Sequence, residues 1–419
     1  PRYAALAQPQ PLTAEQIQKL LDEDTLLLEY ALGEKRSVLW AVTSDATVSV
    51  SLPPAKQIES AAVKCYDLLK ESKQRRWQRD AELSALELSR MILPSINSLP
   101  KSLKLMNKKR LVIVADGVLQ FIPFGILSLP TETATARSTL LSRFELINLP
   151  SASTLAALRT ERGERQKSSG LLAIFSDPVF ESNDPRLKSA LAVNASSPAT
   201  AKPSLASRQL TRSAEEAGLN GFTRLPFSRR EAEAILALSG NAHSKNNLDA
   251  FDFTASRNTA LNANLSDYRI LHFATHGLLN SRHPELSGIT LSLVNETGQP
   301  QDGFLRMTDL FNLKLNADLV VLSACRTAMG KDIKGEGLIG LTRGFMYAGA
   351  RRIVASLWDV NDAATAELMG RFYRFLLKDK LPAASALRAA QLSMAKDARW
   401  SAPYYWAGFV IQGDWQESK

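Results

Sequence analysis

Apolar positions along the chain alternate between two periods. In the first hundred residues, short apolar runs at 26–31 and 38–43 read as strands around a turn at 33–36. Thr13-x-x-Gln16 has capping-box spacing and opens a short helix at 14–21. A long stretch, 55–93, is helical with a polar interruption near 73–79. There Ile58, Ala62, Cys65 and Leu69 fall on one face at three-to-four spacing. Cys65 therefore reads as a core thiol, because an apolar helix face does not stabilise a thiolate. Strands follow at 110–115, which ends in Asp116-Gly117, and at 144–149 and 171–175.

Residues 181–221 break the pattern. They are rich in Ala, Ser, Asn, Pro and Lys and predict a long exposed, flexible loop. Ser228-x-x-Glu231 reads as a second capping box opening a helix at 230–238. From there the chain alternates between strands at 270–275, 319–324, 353–358 and 407–412 and helices at 337–347, 363–377 and 383–396. Buried strands alternating with helices predict an α/β fold with a mostly parallel central sheet flanked by helices. No 34-residue or similar repeat is present, which excludes a solenoid over these residues.

The 419 residues suffice for two or three domains. The chain begins at Pro1 rather than Met and is expected to be a fragment or a processed product. No run approaches the ~20 apolar residues that span a bilayer. No signal-peptide layout opens the chain, so a cytoplasmic location without membrane partners is expected. The net charge is +9, from 51 basic and 42 acidic residues. The basic residues sit in scattered knots, at 101–110 and 159–167, without interleaved aromatics, so nucleic acid is expected as an indirect partner at most. Two cysteines and four histidines (His243, His272, His276, His283) exclude a disulfide framework and a Cys-rich zinc site, and no metal or other cofactor is expected.

In open α/β sheets, sites lie beyond the carboxyl ends of strands. Strand 270–275 runs into His276-Gly277, and strand 319–324 runs into Cys325-Arg326-Thr327. If these strands are neighbours, His276 and Cys325 share one rim, where the imidazole can take the thiol proton. Gly277 has no Cβ, so a substrate carbonyl can approach its N–H. That N–H and the one of Cys325 would form an oxyanion hole. Alone, a Cys after an apolar run reads as a small core hydrophobe and a lone His as a locally satisfied one. Together they sit 49 residues apart, in the order and spacing of the caspase pattern, with Thr327 where caspases carry Gly.

Five stretches then come in a recognisable order. They are His272-Phe-Ala-Thr-His276-Gly, Leu322-Ser-Ala-Cys325-Arg-Thr, Gly335-Glu-Gly337-Leu-Ile-Gly-Leu-Thr-Arg-Gly-Phe345, Ala355-Ser-Leu-Trp-Asp-Val-Asn-Asp362 and Tyr404-Tyr-Trp-Ala-Gly-Phe-Val-Ile-Gln-Gly-Asp414. Over about 106–414 the chain resembles the CHAT domain, a caspase-like domain usually joined to tetratricopeptide repeats in bacteria. The resemblance implies membership of the clan of caspases, separase, gingipains and legumain. It thus implies a cysteine endopeptidase with His276 as base and Cys325 as nucleophile, acting on a protein substrate. Regulation by an adjoining domain or a partner of the repeat type is implied as well. The implied organisation is an N-terminal α/β companion subdomain, pseudo-caspase-like, over 1–165 and a caspase-like peptidase domain over 166–419.

The run ending at Asp362 is also similar to a separase run that walls the pocket for the residue before the scissile bond. That similarity implies acidic pocket residues, Asp359 or Asp362, and a preference for Arg or Lys. Asp362 equally suits the cap of a helix starting at 363. His272 lies a strand's depth inside the tip and reads as structural. Residues 326–337 read as a mobile loop bordering the cleft, with Glu336 either solvating it or adding acid to the pocket. A caspase-fold scaffold that binds a partner and cuts nothing is the competing reading.

Overall fold

The computed structural model describes residues 10–93, 107–129, 139–160, 168–187, 222–240, 246–280, 287–323, 325–328 and 336–417. The chain forms two compact units, Pro1–Glu164 with Lys378–Lys419 and Arg165–Leu377.

In the first unit, helix α1 (Ala14–Lys19) is closed by its capping box, with Gln16 N–H donating to Thr13 Oγ1 and Thr13 N–H to Gln16 Oε1. Strands β1 (Thr25–Ala31), β2 (Ser37–Val42) and β3 (Thr47–Leu52) form an antiparallel meander. Beyond β1, strands β4 (Arg110–Val114) and β5 (Glu145–Asn148) and the C-terminal strand Phe409–Gly413 continue the sheet in parallel. The predicted helix over 55–93 is two helices, α2 (Ala55–Glu71) and α3 (Arg75–Ile92). They part at Ser72, whose hydroxyl donates to the Leu69 carbonyl at 2.6 Å and closes the first helix. Short helices α4 (Leu140–Arg143) and α5 (Ala152–Thr160) complete this part, and the helix Ala383–Lys396 precedes the last strand. Arg159 donates twice to Asp414, whose side chain is buried, and its guanidinium lies over the Trp415 ring, which fastens the chain's end to α5.

The second unit carries strands β6 (Gly170–Pro178), β7 (Leu248–Asp252), β8 (Tyr268–Ala274), β9 (Gly277–Asn280), β10 (Gly288–Thr290), β11 (Phe304–Arg306), β12 (Leu319–Leu322), β13 (Cys325–Ala328) and β14 (Arg352–Ser356). Its helices are α6 (Pro226–Leu238), α7 (Arg257–Asn262), α8 (Met307–Asn312), α9 (Glu336–Ala348) and α10 (Asp362–Tyr373). Strands in the order β14-β12-β8-β6-β7 form a parallel sheet throughout. Such sheets bury both faces, and β8, β12 and β14 are buried along nearly their whole length. Phe175 and Phe273 stack at 5.0 Å on one face, with Phe345 of α9 against Phe273 at 5.7 Å. A second sheet, ordered β11-β10-β9-β13, grows from the ends of β8 and β12.

The fold is therefore of the α/β class expected from sequence, with a mostly parallel sheet flanked by helices and with four local corrections. Helix α6 begins at Pro226, not at 230, because Pro is preorganised for the first helical position. Ser228 donates to the Leu225 carbonyl and Glu231 turns inward, so neither caps the helix. The residues expected to open the loop at 326–337 lie in β13, and Glu336 begins α9; residues 329–335 lie outside the described residues. Of the expected loop at 181–221, residues 182–183 form a turn and 185–187 are helical, anchored by Arg186, and 188–221 lie outside the described residues.

Cys65 has no exposed surface, and burial pushes its thiol up to about 12. Native labelling with a haloacetamide should leave Cys65 unmodified until the chain is unfolded. Mass spectrometry of the Cys65 peptide before and after denaturation measures this, and fast native labelling would contradict the packing.

Candidate functional site

β8 and β12 run side by side in level register, with Val321 opposite His272 and Leu322 opposite Phe273. β14 is level with both, Ala355 opposite Leu322. Three strands thus end together, and the chain beyond each contributes to one rim. Beyond β8 come Thr275 and His276, beyond β12 Ser323, and beyond β14 the run through Asp359 to Asp362. β9 and β13 then pair in parallel with Cys325 directly opposite Gly277. The backbones of Gly277 and Cys325 are brought together, and His276 is the residue beside that pair. The side chain of Cys325 lies outside the described part of the molecule, and so does any distance to its sulfur.

His276 is almost fully buried, with its ring against Phe180 at 5.2 Å and Phe222 at 5.6 Å. Its Nε2 is 2.6 Å from the carbonyl oxygen of Thr223. A carbonyl only accepts, so Nε2 donates and carries a proton. In a neutral imidazole with that bond the lone pair belongs to Nδ1, the atom then able to take a proton. Thr275 donates to the Thr290 carbonyl and Thr290 N–H to the His276 carbonyl, fixing the strand end to β10.

One small cavity at this rim is lined by His276, Ser323, Asp359, Asp362, Ser228, Glu231 and Thr365, with Leu225, Ala274 and Val360 as its apolar wall. Both aspartates named from sequence are therefore in the cavity with His276. The expectation that Asp362 caps the following helix is corrected. Asn361 is the cap, its Oδ1 accepting from Ala364 N–H at 3.0 Å, because Asn suits the extended cap backbone equally well. Asp362 is the first helical residue, and its Oδ2 accepts from Phe227 N–H at the start of α6, at 2.9 Å. Burial pushes the Asp362 carboxyl up to about 6; the Phe227 N–H opposes the shift, and the charges of Glu231 and Asp177 add to it.

Two further residues of the cavity, Glu231 and Thr365, have no catalytic motif behind them. Glu231 is buried, and its Oε1 is 2.8 Å from His272 Nε2. His272 Nδ1 in turn meets the buried Tyr373 hydroxyl at 3.0 Å. His272 is thus enclosed between α6 and α10 rather than open to the rim. Thr365, one turn after Asp362, has a buried hydroxyl with no hydrogen-bond partner. Glu231 sits where its spacing imitates a helix cap, and Thr365 inside an ordinary helix, so only the fold reveals them.

With the geometry in place, similarity can be read. The chain is similar in fold to separase. One crystal structure of the Saccharomyces cerevisiae separase–securin complex superposes with a TM-score of 0.52 at 9% identity, covering 96% of this chain and 31% of that one. A second structure of the complex gives 0.53 at 9% identity, over 98% and 31%. The CHAT domain family model matches residues 74–414, and the chain belongs to the CHAT domain family. Tetratricopeptide repeat protein 28 of Mus musculus is 38% identical over 109 residues, 26% of this chain and 4% of that protein. The Homo sapiens protein of the same name is 26% identical over 341 residues, 73% of this chain and 12% of that protein. The chain thus spans a small part of the length of the curated relatives it matches. Among the described residues, no helix is long and apolar enough to cross a membrane.

The cavity's charge has a measurable consequence for stability. The Asp362 carboxyl titrates above its ordinary 3.8 in the folded chain. Between about pH 4 and 6 the folded chain therefore holds a proton that the unfolded chain has released. This contribution to stability falls as pH rises through that window and is gone above it. Asp362→Asn should stabilise the chain at pH 7.5 by about 1 kcal/mol, a figure reduced for partial solvent screening. Its advantage should vanish below about pH 4. Thermal unfolding across pH measures this, and a pH-independent difference would contradict it.

Proposed function

We propose that this chain is a cysteine endopeptidase with a His276/Cys325 dyad, acting on a protein substrate and preferring Arg or Lys before the scissile bond. The observation that carries the reading is the pairing of Cys325 with Gly277, the residue that follows His276, at the level ends of β8 and β12. Membership of the CHAT family and a fold shared with separase support it.

The chemistry follows from the groups present. His276 Nδ1 takes the Cys325 thiol proton, and the thiolate attacks the scissile carbonyl carbon. The N–H groups of Gly277 and Cys325 donate to the oxyanion that forms. The intermediate collapses, the C–N bond breaks, and the leaving amine takes the proton from His276. A water molecule, deprotonated by His276, then attacks the thioester. The peptide acid leaves and the thiol is restored.

In the cavity, Asp359 and Asp362 face an arriving side chain with Glu231 behind them. An acid held at about 6 by burial gains from a guanidinium, which supplies the counter-charge that burial removed. Arg is favoured over Lys where the contact is bidentate. The Thr365 hydroxyl offers a further acceptor on the same wall. The names of the tetratricopeptide repeat relatives support control by an adjoining repeat domain or partner, with the isolated chain held at low activity.

Cys325→Ala and His276→Ala should each reduce cleavage of a peptide library by at least about 10³-fold while leaving the fold intact, and together no further than either alone. Undiminished cleavage in Cys325→Ala would end the peptidase reading in favour of a binding scaffold. Within cleaved peptides, basic residues should dominate the position before the cut, and Asp362→Asn and Asp359→Asn should erode that preference. A preference for apolar or acidic residues, or a basic preference unchanged in both variants, would remove the acidic pocket while leaving the dyad standing.

A further inference from the structure

Resting on the dyad reading, we infer that the Asp177–Arg224 ion pair is a positioning device for His276. The segment 222–225 has no regular secondary structure, yet it supplies two of the contacts that set the imidazole. Phe222 packs on the ring, and the Thr223 carbonyl accepts from Nε2. Thr223 and Arg224 are themselves exposed, so little apolar burial holds them. The hold comes from Arg224. Its Nε and one terminal nitrogen donate to the two oxygens of Asp177, each at 2.8 Å, in a bidentate fork.

Asp177 is built for this task. It lies at the carboxyl end of β6, at a register irregularity against β7, with φ of +50° in the left-handed region that a side chain rarely adopts. Its carboxylate is fully buried, which is tolerable only with cations around it. Arg186 approaches one oxygen at 3.2 Å and Arg229 the other at 3.4 Å. Arg186 also donates to the Asp177 carbonyl and to Asp252, and is paired with Asp184. Arg229 pairs with Asp252. Three guanidinium groups thus meet three carboxylates in a closed, charge-balanced network. Arg186 and Arg229 fix Asp177 in place, and Arg224 uses it as a peg. The peg sets the height of Thr223, and Thr223 sets which nitrogen of His276 carries the proton.

Losing the fork should let 222–225 move and release the Nε2 bond, allowing the ring to rotate or change tautomer. Geometry displaced by about 1 Å is worth on the order of a hundredfold in rate. The test uses the full chain with Arg224→Gln and Arg224→Lys. Arg257→Gln is the control, because it removes another bidentate Arg–Asp pair, with Asp309, that shares no hydrogen bond with the site. The first readout is the nitrogen chemical-shift pattern of the His276 ring, assigned by loss of its signals in His276→Ala. Wild type and Arg257→Gln should show the Nε2–H tautomer of the neutral ring. Arg224→Gln should show a tautomer mixture, and Arg224→Lys, which keeps the charge and loses the fork, should fall between. The second readout is kcat/KM on a cleaved peptide, expected to fall about 10- to 100-fold in Arg224→Gln against less than about twofold in the control. An unchanged His276 tautomer in Arg224→Gln would overturn the inference. If the tautomer shifts while no variant or wild type cleaves any peptide, the positioning role stands and the peptidase reading fails.

Discussion

Everything at this site depends on the level parallel pairing of β8 with β12. A parallel ladder has no hairpin to join its strands, so each must re-enter through a crossover, and both carboxyl ends emerge at the same edge. That geometry brings residues 49 positions apart in sequence to one rim. The fixed register then carries over into the second sheet, where β9 and β13 continue as a pair with Gly277 opposite Cys325. A slip of one residue would turn each strand's side chains to the opposite face. The buried aromatic stack of Phe175 and Phe273 and the insertion of His272 between Glu231 and Tyr373 both resist such a slip.

Around that frame, charge is placed against the interest of stability. Glu231 and Asp177 raise the cost of ionising Asp362, and Thr365 buries a hydroxyl without a partner. Glu231 is compensated by His272, and Asp177 by three arginines, while among the described residues Asp362 has only a backbone N–H. Groups whose burial is left incompletely compensated cluster at functional sites, where a ligand completes them. The contrast with Cys65 is instructive. That thiol sits fully buried on an apolar helix face, where burial favours its neutral form despite the Ser84 hydroxyl, and it fills the core.

The parallel core was legible because its strands carry continuous apolar stretches: Leu-Val-Val-Leu at 319–322 and Ile-Val-Ala at 353–355 hardly admit another reading. His276 and Cys325 were legible because each ends such a run. What was missed lacks an apolar signature. β3 alternates polar and β-branched residues at a sheet edge, and β9, β10 and β11 are only three or four residues long. Glu231 was misread because its spacing from Ser228 satisfies a local rule that tertiary packing overrides, and Pro226 supplies the helix start instead. Asn361 took the cap that Asp362 also suited, since nothing in the local sequence separates two adjacent cap-competent residues. The Asp177–Arg224 pair joins residues 47 positions apart, and no periodicity announces it.

The central claim is that His276 acts on Cys325. The most direct measurement is the rate of Cys325 alkylation by a small neutral haloacetamide as a function of pH, read by mass spectrometry on wild type and His276→Ala. It needs no substrate and no activating partner. The account predicts a wild-type thiolate forming below the ordinary thiol range near 8.5 and a return to that range in His276→Ala, with alkylation at pH 7 slower by about tenfold or more. Superimposable pH profiles for the two proteins would contradict it.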